Sequence, residues 1–184
     1  MGSVGREWAG SGAIRLLDGD RREVPDGEVG ELHSCTPWVF DGYWKNPEKT
    51  AEAFRGAWCS VGDMARRDEQ GYIHLVDRKS NMIISGGENV YPSEVENVLG
   101  THPKVKDVAV VGVPHDKWGE AVHAVVVLHG GVQATETELV EWCRGRIAGY
   151  KRPQAVRFVS DADMPRTATG KILHRALRDR MATA

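Results

Sequence analysis

Cysteine is scarce in this chain: only Cys35, Cys59 and Cys143 occur among 184 residues, and none belongs to a Cys-x-x-Cys pair. An odd number of irregularly spaced cysteines argues against a disulfide framework and against a zinc site. We therefore expect reduced thiols, no bound metal and a cytoplasmic location.

Long hydrophobic runs and an excess of one charge are also lacking. Apolar stretches such as residues 121–128 are far shorter than the ~20 residues that a membrane-spanning helix requires. Met1, Gly2 and Ser3 are not followed by the apolar segment of a signal peptide. With 24 basic and 26 acidic residues, the net charge is −2, which disfavours a nucleic-acid binder or a membrane-surface binder.

The chain does contain a segment punctuated by proline and glycine, Pro-Arg-Thr-Ala-Thr-Gly-Lys-Ile-Leu-His at 165–174. Thr-Gly-Lys occurs in P-loops, but a P-loop requires glycine where Pro165 stands and Ser or Thr where Ile172 stands. A P-loop is therefore excluded. Two interpretations remain open from this segment alone: Lys171 lies on the solvated face of an amphipathic helix, or the loop presents it as a functional cation.

Two further segments are distinctive. Residues 71–96 begin with a strand pattern, continue through Gly86 and Gly87, which permit φ angles that other residues resist, and enter a helix at Pro92. A loop without side chains allows a narrow ligand to approach its backbone. Residues 58–63, Trp-Cys-Ser-Val-Gly-Asp, end in a Gly-Asp dipeptide that by itself is typical of a turn.

Together with residues 30–32 and 42–50, these segments resemble, in order and spacing, the signature motifs of the acyl-adenylate-forming enzymes. That superfamily includes acyl-CoA synthetases, luciferases and the adenylation domains of peptide synthetases. The resemblance implies that Lys171 is the catalytic lysine, which bridges the substrate carboxylate and the ATP α-phosphate. It implies that Asp63 and Arg78 bind the ribose of ATP or AMP. Ser80 falls on the hinge position, which the family usually fills with Asp or Lys.

The glycine loop resembles that of the CoA ligases. The resemblance therefore also implies that CoA accepts the acyl group. Six residues would then bind CoA or its pantetheine arm: Ser85, Gly86, Gly87, Trp118, Tyr150 and Arg152. Trp118 offers a flat apolar wall, Tyr150 a stacking face and Arg152 a bidentate phosphate contact. Without the resemblance, Trp118 would be interpreted as a core or edge residue.

The fold class predicted from the pattern is α+β in two parts. Residues 1–11 are expected to be a disordered or expression-derived start, 12–78 a β-rich end of an N-terminal adenylate-forming domain, and 79–184 a C-terminal lid domain. In the lid domain, helices cover a three-stranded sheet. Strands are predicted at 105–113, 121–128 and 155–159, and helices at 92–100, at 135–148 and at the C-terminal end.

The resemblance covers residues 12 to 180 but only the last third of a complete family member. The phosphate loop, the acyl pocket and the Mg²⁺-ligating glutamate of the family would lie in a missing N-terminal domain, which is the expected partner of this chain. The predicted function is therefore the C-terminal part of an AMP-forming acid-CoA ligase that uses ATP, CoA and Mg²⁺. Two alternatives stay open: an adenylation domain that loads a carrier protein, and a non-catalytic docking module. The sequence predicts neither the carboxylic acid nor the oligomeric state.

The isolated chain is predicted to catalyse no ATP–pyrophosphate exchange with any carboxylic acid. It supplies a lysine and ribose contacts but neither a phosphate loop nor an acyl pocket. The assay measures incorporation of labelled pyrophosphate into ATP by the pure 184-residue chain. Acid-dependent exchange by that chain would contradict the prediction.

Overall fold

The structure, a computed structural model, describes residues 3–8 and 10–182. The contacts divide the chain into two units, Met1–Ser80 and Asn81–Ala184. The predicted boundary between residues 78 and 79 lies two positions before this division. Met1 and Gly2, where the sequence predicts no signal peptide, lie outside the described residues. No helix within the described ranges is long and apolar enough to cross a membrane.

The first unit is mostly an antiparallel sheet. Its elements are β1 Gly5–Arg6, β2 Ile14–Leu17, β3 Val29–Ser34, α1 Pro47–Ala53, β4 Phe54–Arg55, β5 Trp58–Cys59, β6 Asp63–Arg67 and β7 Tyr72–Arg78. The strand order is β1-β7-β6-β3-β5-β4, and β2 also pairs with β3. The α1 helix begins where the Asn46 side chain accepts a hydrogen bond from the Lys49 N–H, with Pro47 at the first helical position.

A small core holds this sheet together. Leu16, Ala65 and Ile73 are almost fully buried, each from a different strand. Leu75, two residues after Ile73 on the same face of β7, is 40% exposed, so the covered part of this face ends before it.

The start of the chain is more ordered than its sequence predicts. Gly5 and Arg6, within the predicted disordered segment 1–11, pair with Ile73 and Tyr72 as the edge strand β1. The Glu7 carboxylate also accepts hydrogen bonds from the Ser11 hydroxyl and the Ala13 N–H. The sequence does not predict this pairing because a two-residue strand has no hydrophobic alternation; backbone pairing to an existing edge forms it instead.

The second unit follows a short 3₁₀ turn at Lys79–Asn81. Its elements are β8 Ile83–Ser85, β9 Glu88–Val90, α2 Pro92–Leu99, β10 Val105–His115, β11 Gly119–Leu128, α3 Glu136–Trp142, β12 Ala155–Phe158 and α4 His174–Ala182. The sheet order is β10-β11-β8-β9, and β12 runs parallel to β11. The α+β fold class is confirmed.

Two details of this unit differ from the prediction. The sheet has five strands, because the glycine segment interpreted as a loop forms the hairpin β8–β9. The helix predicted over 135–148 ends at Trp142, and Gly145 then adopts a left-handed φ of +73°. A residue in that conformation ends a right-handed helix, although the apolar pattern continues through Ile147.

Both faces of the β10–β11 pair are buried. Val108, Val110 and Val122 lie in the core that contains Val95 of α2 and Leu139 of α3. The alternate residues face the other way, into a second core closed by α4; these residues are Ala109, Val111, Val125 and Val127, with Met164 and Leu177. Helices therefore cover the sheet on both sides.

The cysteines are free thiols, and two of them lie in the interior. Cys59 belongs to the first unit and Cys143 to the second, whereas Cys35 is half-buried. Burial raises the pKa of both the Cys59 and the Cys143 thiol. These two thiols are therefore unreactive packing groups.

Replacing Leu16 by Ala is expected to lower the free energy of unfolding of the first unit by about 2–5 kcal/mol, because the side chain is 2% exposed and leaves a cavity. Leu75→Ala is the matched control, since it removes the same atoms from an exposed strand position and should cost less than about 1 kcal/mol. Urea unfolding monitored by circular dichroism measures both. Equal losses would show that the predicted core is not what stabilises the sheet.

Candidate functional site

Asp63 and Arg78, the proposed ribose-binding residues, are direct neighbours. They occupy paired positions on β6 and β7, and Arg78 Nε lies 2.8 Å from Asp63 Oδ1. Arg78 also donates to the Val61 carbonyl at 3.1 Å. A guanidinium has five N–H donors, so Arg78, which is half exposed, retains donors for a ligand while it holds the aspartate in place.

Behind this pair lies Glu31, to which sequence reasoning assigned no role. Its carboxylate accepts from the Lys79 ammonium and from the Ser60 hydroxyl, each at 2.7 Å, and Ser60 in turn accepts from the Gly62 N–H. Burial raises the pKa of Glu31, but the hydrogen bonds from Lys79 and Ser60 outweigh it and hold the pKa below its usual value. Glu31 thus fixes the segment before Asp63 and the residue beside the proposed hinge.

Ser80, the proposed hinge residue, lies at the end of the first unit. It is exposed and sits in the 3₁₀ turn Lys79–Asn81. On one side the backbone is held, because Lys79 donates its N–H to the Gly62 carbonyl at 2.8 Å. Lys79, the residue immediately before Ser80, is therefore held in place by a backbone hydrogen bond.

Gly86 and Gly87 form the two-residue turn of the β8–β9 hairpin. Their φ angles are +62° and +87°, and Ser85 pairs with Glu88 across the turn. A turn with two positive φ angles matches the twist of the flanking strands and favours glycine. The glycines are therefore required by the backbone, whatever ligand approaches them.

Trp118 packs directly on this turn. Its carbonyl accepts from the Gly86 N–H at 2.8 Å, and a Cβ on Gly86 would lie 2.9 Å from Trp118 Cε3. The indole is 39% exposed and belongs to neither core. Of the two interpretations that ignore the resemblance, core residue and edge residue, only the edge residue fits this exposure.

Neighbouring side chains fix the Trp118 segment. His115 Nδ1 accepts from the N–H groups of Lys117 and Trp118 at 3.2 and 3.3 Å. Glu120 accepts from the Ile84 N–H at 2.9 Å and so ties the start of β11 to β8. The result is a rigid, half-exposed aromatic wall beside a turn that has no side chains.

Tyr150 and Arg152 lie near the same end of the sheet. Tyr150 lies within the 3₁₀ turn Gly149–Lys151 and Arg152 directly follows it; in this turn Lys151 pairs with Glu94 of α2 at 2.6 Å. Just beyond, the Gln154 N–H donates to the Val122 carbonyl at 2.8 Å. Lys151 is thus a structural anchor, whereas Tyr150 is 46% exposed. Within the described ranges no carboxylate lies in ion-pair range of Arg152.

Lys171 lies in a tight loop before α4 and not on the helix itself. The Thr167 N–H donates to the Lys171 carbonyl at 2.8 Å, and the Lys171 N–H donates to the Thr167 hydroxyl at 3.1 Å. Gly170 has a φ of +86°. The side chain is exposed, and among residues 3–8 and 10–182 its ammonium has no acidic partner. The solvated-helix interpretation is therefore wrong for Lys171.

The Lys171 loop and the glycine turn lie at opposite ends of β10. Arg166, in the Lys171 loop, pairs with Asp107 at 2.6 Å, whereas Trp118 is held by His115. Asp107 and His115 are eight residues apart on one strand. At a rise of ~3.3 Å per residue this is about 26 Å. The structure thus brings Ser85, Gly86, Gly87 and Trp118 together, with Tyr150 and Arg152 near the same end, and leaves Lys171 apart from them.

Comparison with known proteins identifies the relatives of this chain. Residues 94–171 match the family profile described as AMP-binding enzyme C-terminal domain. Feruloyl-CoA synthase from Amycolatopsis sp is 48% identical over 91% of this chain and 34% of its own length. The fatty acid–[acyl-carrier-protein] ligase ScoC from Streptomyces coeruleorubidus is 43% identical over 90% of this chain and 32% of its own.

A solved structure extends the match to the fold. ATP-bound MatB from Rhodopseudomonas palustris superposes with a TM-score of 0.87 at 37% identity, covering 98% of this chain and 36% of MatB. The chain therefore belongs to the acyl-adenylate-forming enzyme superfamily and corresponds to the C-terminal portion of its members. It spans about a third of the length of the curated relatives it matches.

Alanine at Gly86 and alanine at Gly87 are expected to affect Trp118 differently. Both substitutions place a side chain at positive φ, which costs about 1–2 kcal/mol. Only at Gly86 does the new Cβ meet the indole, since nothing lies within 4 Å of a Cβ at Gly87. In a ¹H–¹⁵N NMR spectrum, the Trp118 indole resonance should shift in Gly86→Ala and stay in place in Gly87→Ala. An unchanged Trp118 resonance in both variants would show that the ring does not pack on the turn.

Proposed function

We propose that this chain is the C-terminal part of an acid-CoA ligase. The complete enzyme would convert a carboxylic acid and ATP to acyl-AMP and pyrophosphate, and then acyl-AMP and CoA to acyl-CoA and AMP. The observation that carries the proposal is the separation of two chemically different surfaces on one rigid sheet. One surface presents a lysine that has no acidic partner among residues 3–8 and 10–182, and the other presents a glycine turn beside an aromatic wall.

Lys171 suits the first reaction. Attack of a carboxylate on a triphosphate brings two anions together, and a point cation between them lowers the repulsion as charge shifts in the transition state. An ammonium with no acidic partner is available for this role without first breaking an ion pair. Asp63 accepts hydrogen bonds from the ribose hydroxyls in this proposal, and Arg78 donates to the ribose.

The other surface suits the second reaction. The pantetheine arm of CoA is narrow and largely apolar, so it fits a backbone turn without side chains next to the Trp118 indole. The nucleotide end of CoA carries phosphates and an adenine. Arg152, which has no carboxylate in ion-pair range in the described part of the chain, would bind a phosphate, and the exposed Tyr150 ring would stack on the base.

The two reactions then require two orientations of the second unit. Arg166, at the start of the Lys171 loop, is anchored at Asp107, about 26 Å along β10 from His115, which holds the Trp118 segment. The two surfaces would therefore not serve one reaction centre in a single orientation. We propose that the chain rotates at Ser80, so that each surface faces the acyl-adenylate in turn. Serine carries no charge, so its contacts in the two states would differ from those of the family's usual Asp or Lys.

Mg²⁺ bound to ATP is part of this proposal, but its ligand is expected outside this chain. Among the described residues no group of three His, Cys, Asp or Glu side chains could hold a metal ion. The phosphate loop and the acyl pocket are likewise expected outside this chain, in a preceding N-terminal domain. The carboxylic acid is therefore not specified by these residues.

A carrier protein is the alternative acceptor, and one observation favours it. The relative ScoC is a fatty acid–[acyl-carrier-protein] ligase and is almost as similar to this chain as the CoA-dependent relative. A carrier-borne pantetheine would use the glycine turn and Trp118 but would bring no nucleotide. Tyr150 and Arg152 are thus the residues that distinguish the two acceptors.

In the complete enzyme, Lys171→Ala should lower the adenylation rate by roughly 10²-fold or more, as expected when one preorganised charge contact is removed. Thioester formation from supplied acyl-AMP should be preserved, because that step uses the other surface. Pyrophosphate release and acyl-CoA formation, measured separately, test this, with Lys104→Ala as the control from a surface ion pair. Equal loss in both half-reactions would contradict the assignment.

Arg152→Ala and Tyr150→Ala should raise the KM for CoA and leave adenylation nearly unchanged, whereas Trp118→Ala should slow thioester formation with CoA and with a carrier protein alike. Arg144→Ala is the matched control, because Arg144 is an exposed arginine that pairs with Glu141 three residues earlier. Steady-state kinetics with each acceptor make the comparison. An unchanged KM for CoA in Arg152→Ala would favour the carrier protein.

A further inference from the structure

The loop that carries Lys171 is held at both ends by contacts between polar side chains. After the lysine, His174 Nε2 lies 2.7 Å from Glu96 Oε1. Before it, Arg166 lies 2.6 Å from Asp107 and 3.2 Å from Asp161, and it also donates to the Gly170 carbonyl at 3.3 Å. The loop itself is therefore tied down, although the lysine side chain extends freely from it.

The contact at Glu96 joins three elements. The oxygen that meets His174 also accepts from the Val110 N–H at 2.8 Å. Glu96 lies on α2, Val110 in the middle of β10 and His174 at the first position of α4. The two side chains are 19% and 21% exposed, so solvent screens their interaction less than that of a surface pair.

Loss of this contact would act on Lys171 through the backbone. Lys171 is only three residues before His174, and the Leu173 N–H donates to the Pro165 carbonyl at 2.9 Å. If His174 is released, the end of the loop can move relative to β10 while Arg166 still holds its start. A displacement of about 1 Å at a reacting group can lower a rate 10²-fold.

We propose that Glu96 and His174 are positioning residues for adenylation, which hold the Lys171 loop at a fixed place on the sheet. The proposal rests on the proposed function of Lys171. Neither side chain needs to touch the substrate, because both act through the loop backbone.

The first test uses the complete enzyme. Glu96→Gln keeps an oxygen that can accept from the Val110 N–H but removes the negative charge that faces His174. His174→Ala removes the other partner. Each variant should lower adenylation about tenfold or more and change thioester formation from supplied acyl-AMP less than about twofold. Glu138→Gln, which breaks a Lys104 pair elsewhere in the unit, is the control and should affect neither step.

The double variant sharpens this test. If the two residues act as one contact, Glu96→Gln combined with His174→Ala should lower adenylation no further than the more affected single variant. Additive losses would show that they do not act as a pair. Unchanged adenylation, or equal loss in both half-reactions, would also overturn the proposal, since the second outcome indicates a general structural role.

The second test uses the 184-residue chain and needs no activity. Hydrogen exchange at the Lys171 amide, which bonds to Thr167, should become about tenfold faster or more in Glu96→Gln and in His174→Ala, but not in Glu138→Gln. Unchanged exchange would show that the contact does not hold the loop.

If the loop loosens but Lys171→Ala does not slow adenylation, the proposed function fails. If Lys171→Ala slows adenylation and the loop stays protected, only the positioning proposal fails.

Discussion

The antiparallel pairing of β10 with β11 is the constraint on which the second unit depends. Successive residues of these strands point to opposite faces, so Val110 and Val122 supply one core and Val111 and Val125 the other. Because helices cover both faces, a one-residue register shift would move every valine of a strand into the opposite core, where the packing partners differ. The rigidity of this pair is what gives a defined place to every loop attached to it.

The same pair separates the candidate binding surfaces. The glycine turn and Trp118 meet where β10 ends and β11 begins, whereas the Lys171 loop is anchored near the start of β10. Because a rigid strand lies between them, a small movement of one loop cannot bring its surface to the place that the other surface occupies. In the proposed function, rotation of the second unit at Ser80 brings each surface to the reaction centre in turn.

Two carboxylates connect segments that are distant in the sequence. Glu31 joins β3 to Ser60 and Lys79, and Glu96 joins α2 to Val110 and His174. A carboxylate can accept several hydrogen bonds at once, so it can hold together chain segments that no backbone ladder connects. One of these contacts lies beside the proposed hinge and the other beside the lysine loop. Both positions control where a functional segment lies.

Local patterns in the sequence were sufficient for much of this protein. Alternating apolar residues identified β10, β11 and β12, and proline or glycine marked the start of α2 and the turn at Gly86. The spacing of motifs around Asp63, Arg78 and Lys171 identified the superfamily before any contact was known. These features are readable because each depends on residues close together in the chain.

Only the tertiary structure decided the rest. The strand β1 has no pattern of its own and exists through backbone pairing with β7, and α3 ends early because Gly145 turns the chain. The partners of Glu31 and Glu96 lie up to 78 residues away, and nothing in a local pattern specifies them. The sequence by itself therefore determined the fold class, the family and the candidate residues. Packing determined which of these residues lie together, because a contact between distant segments depends on the whole sheet that brings them into range.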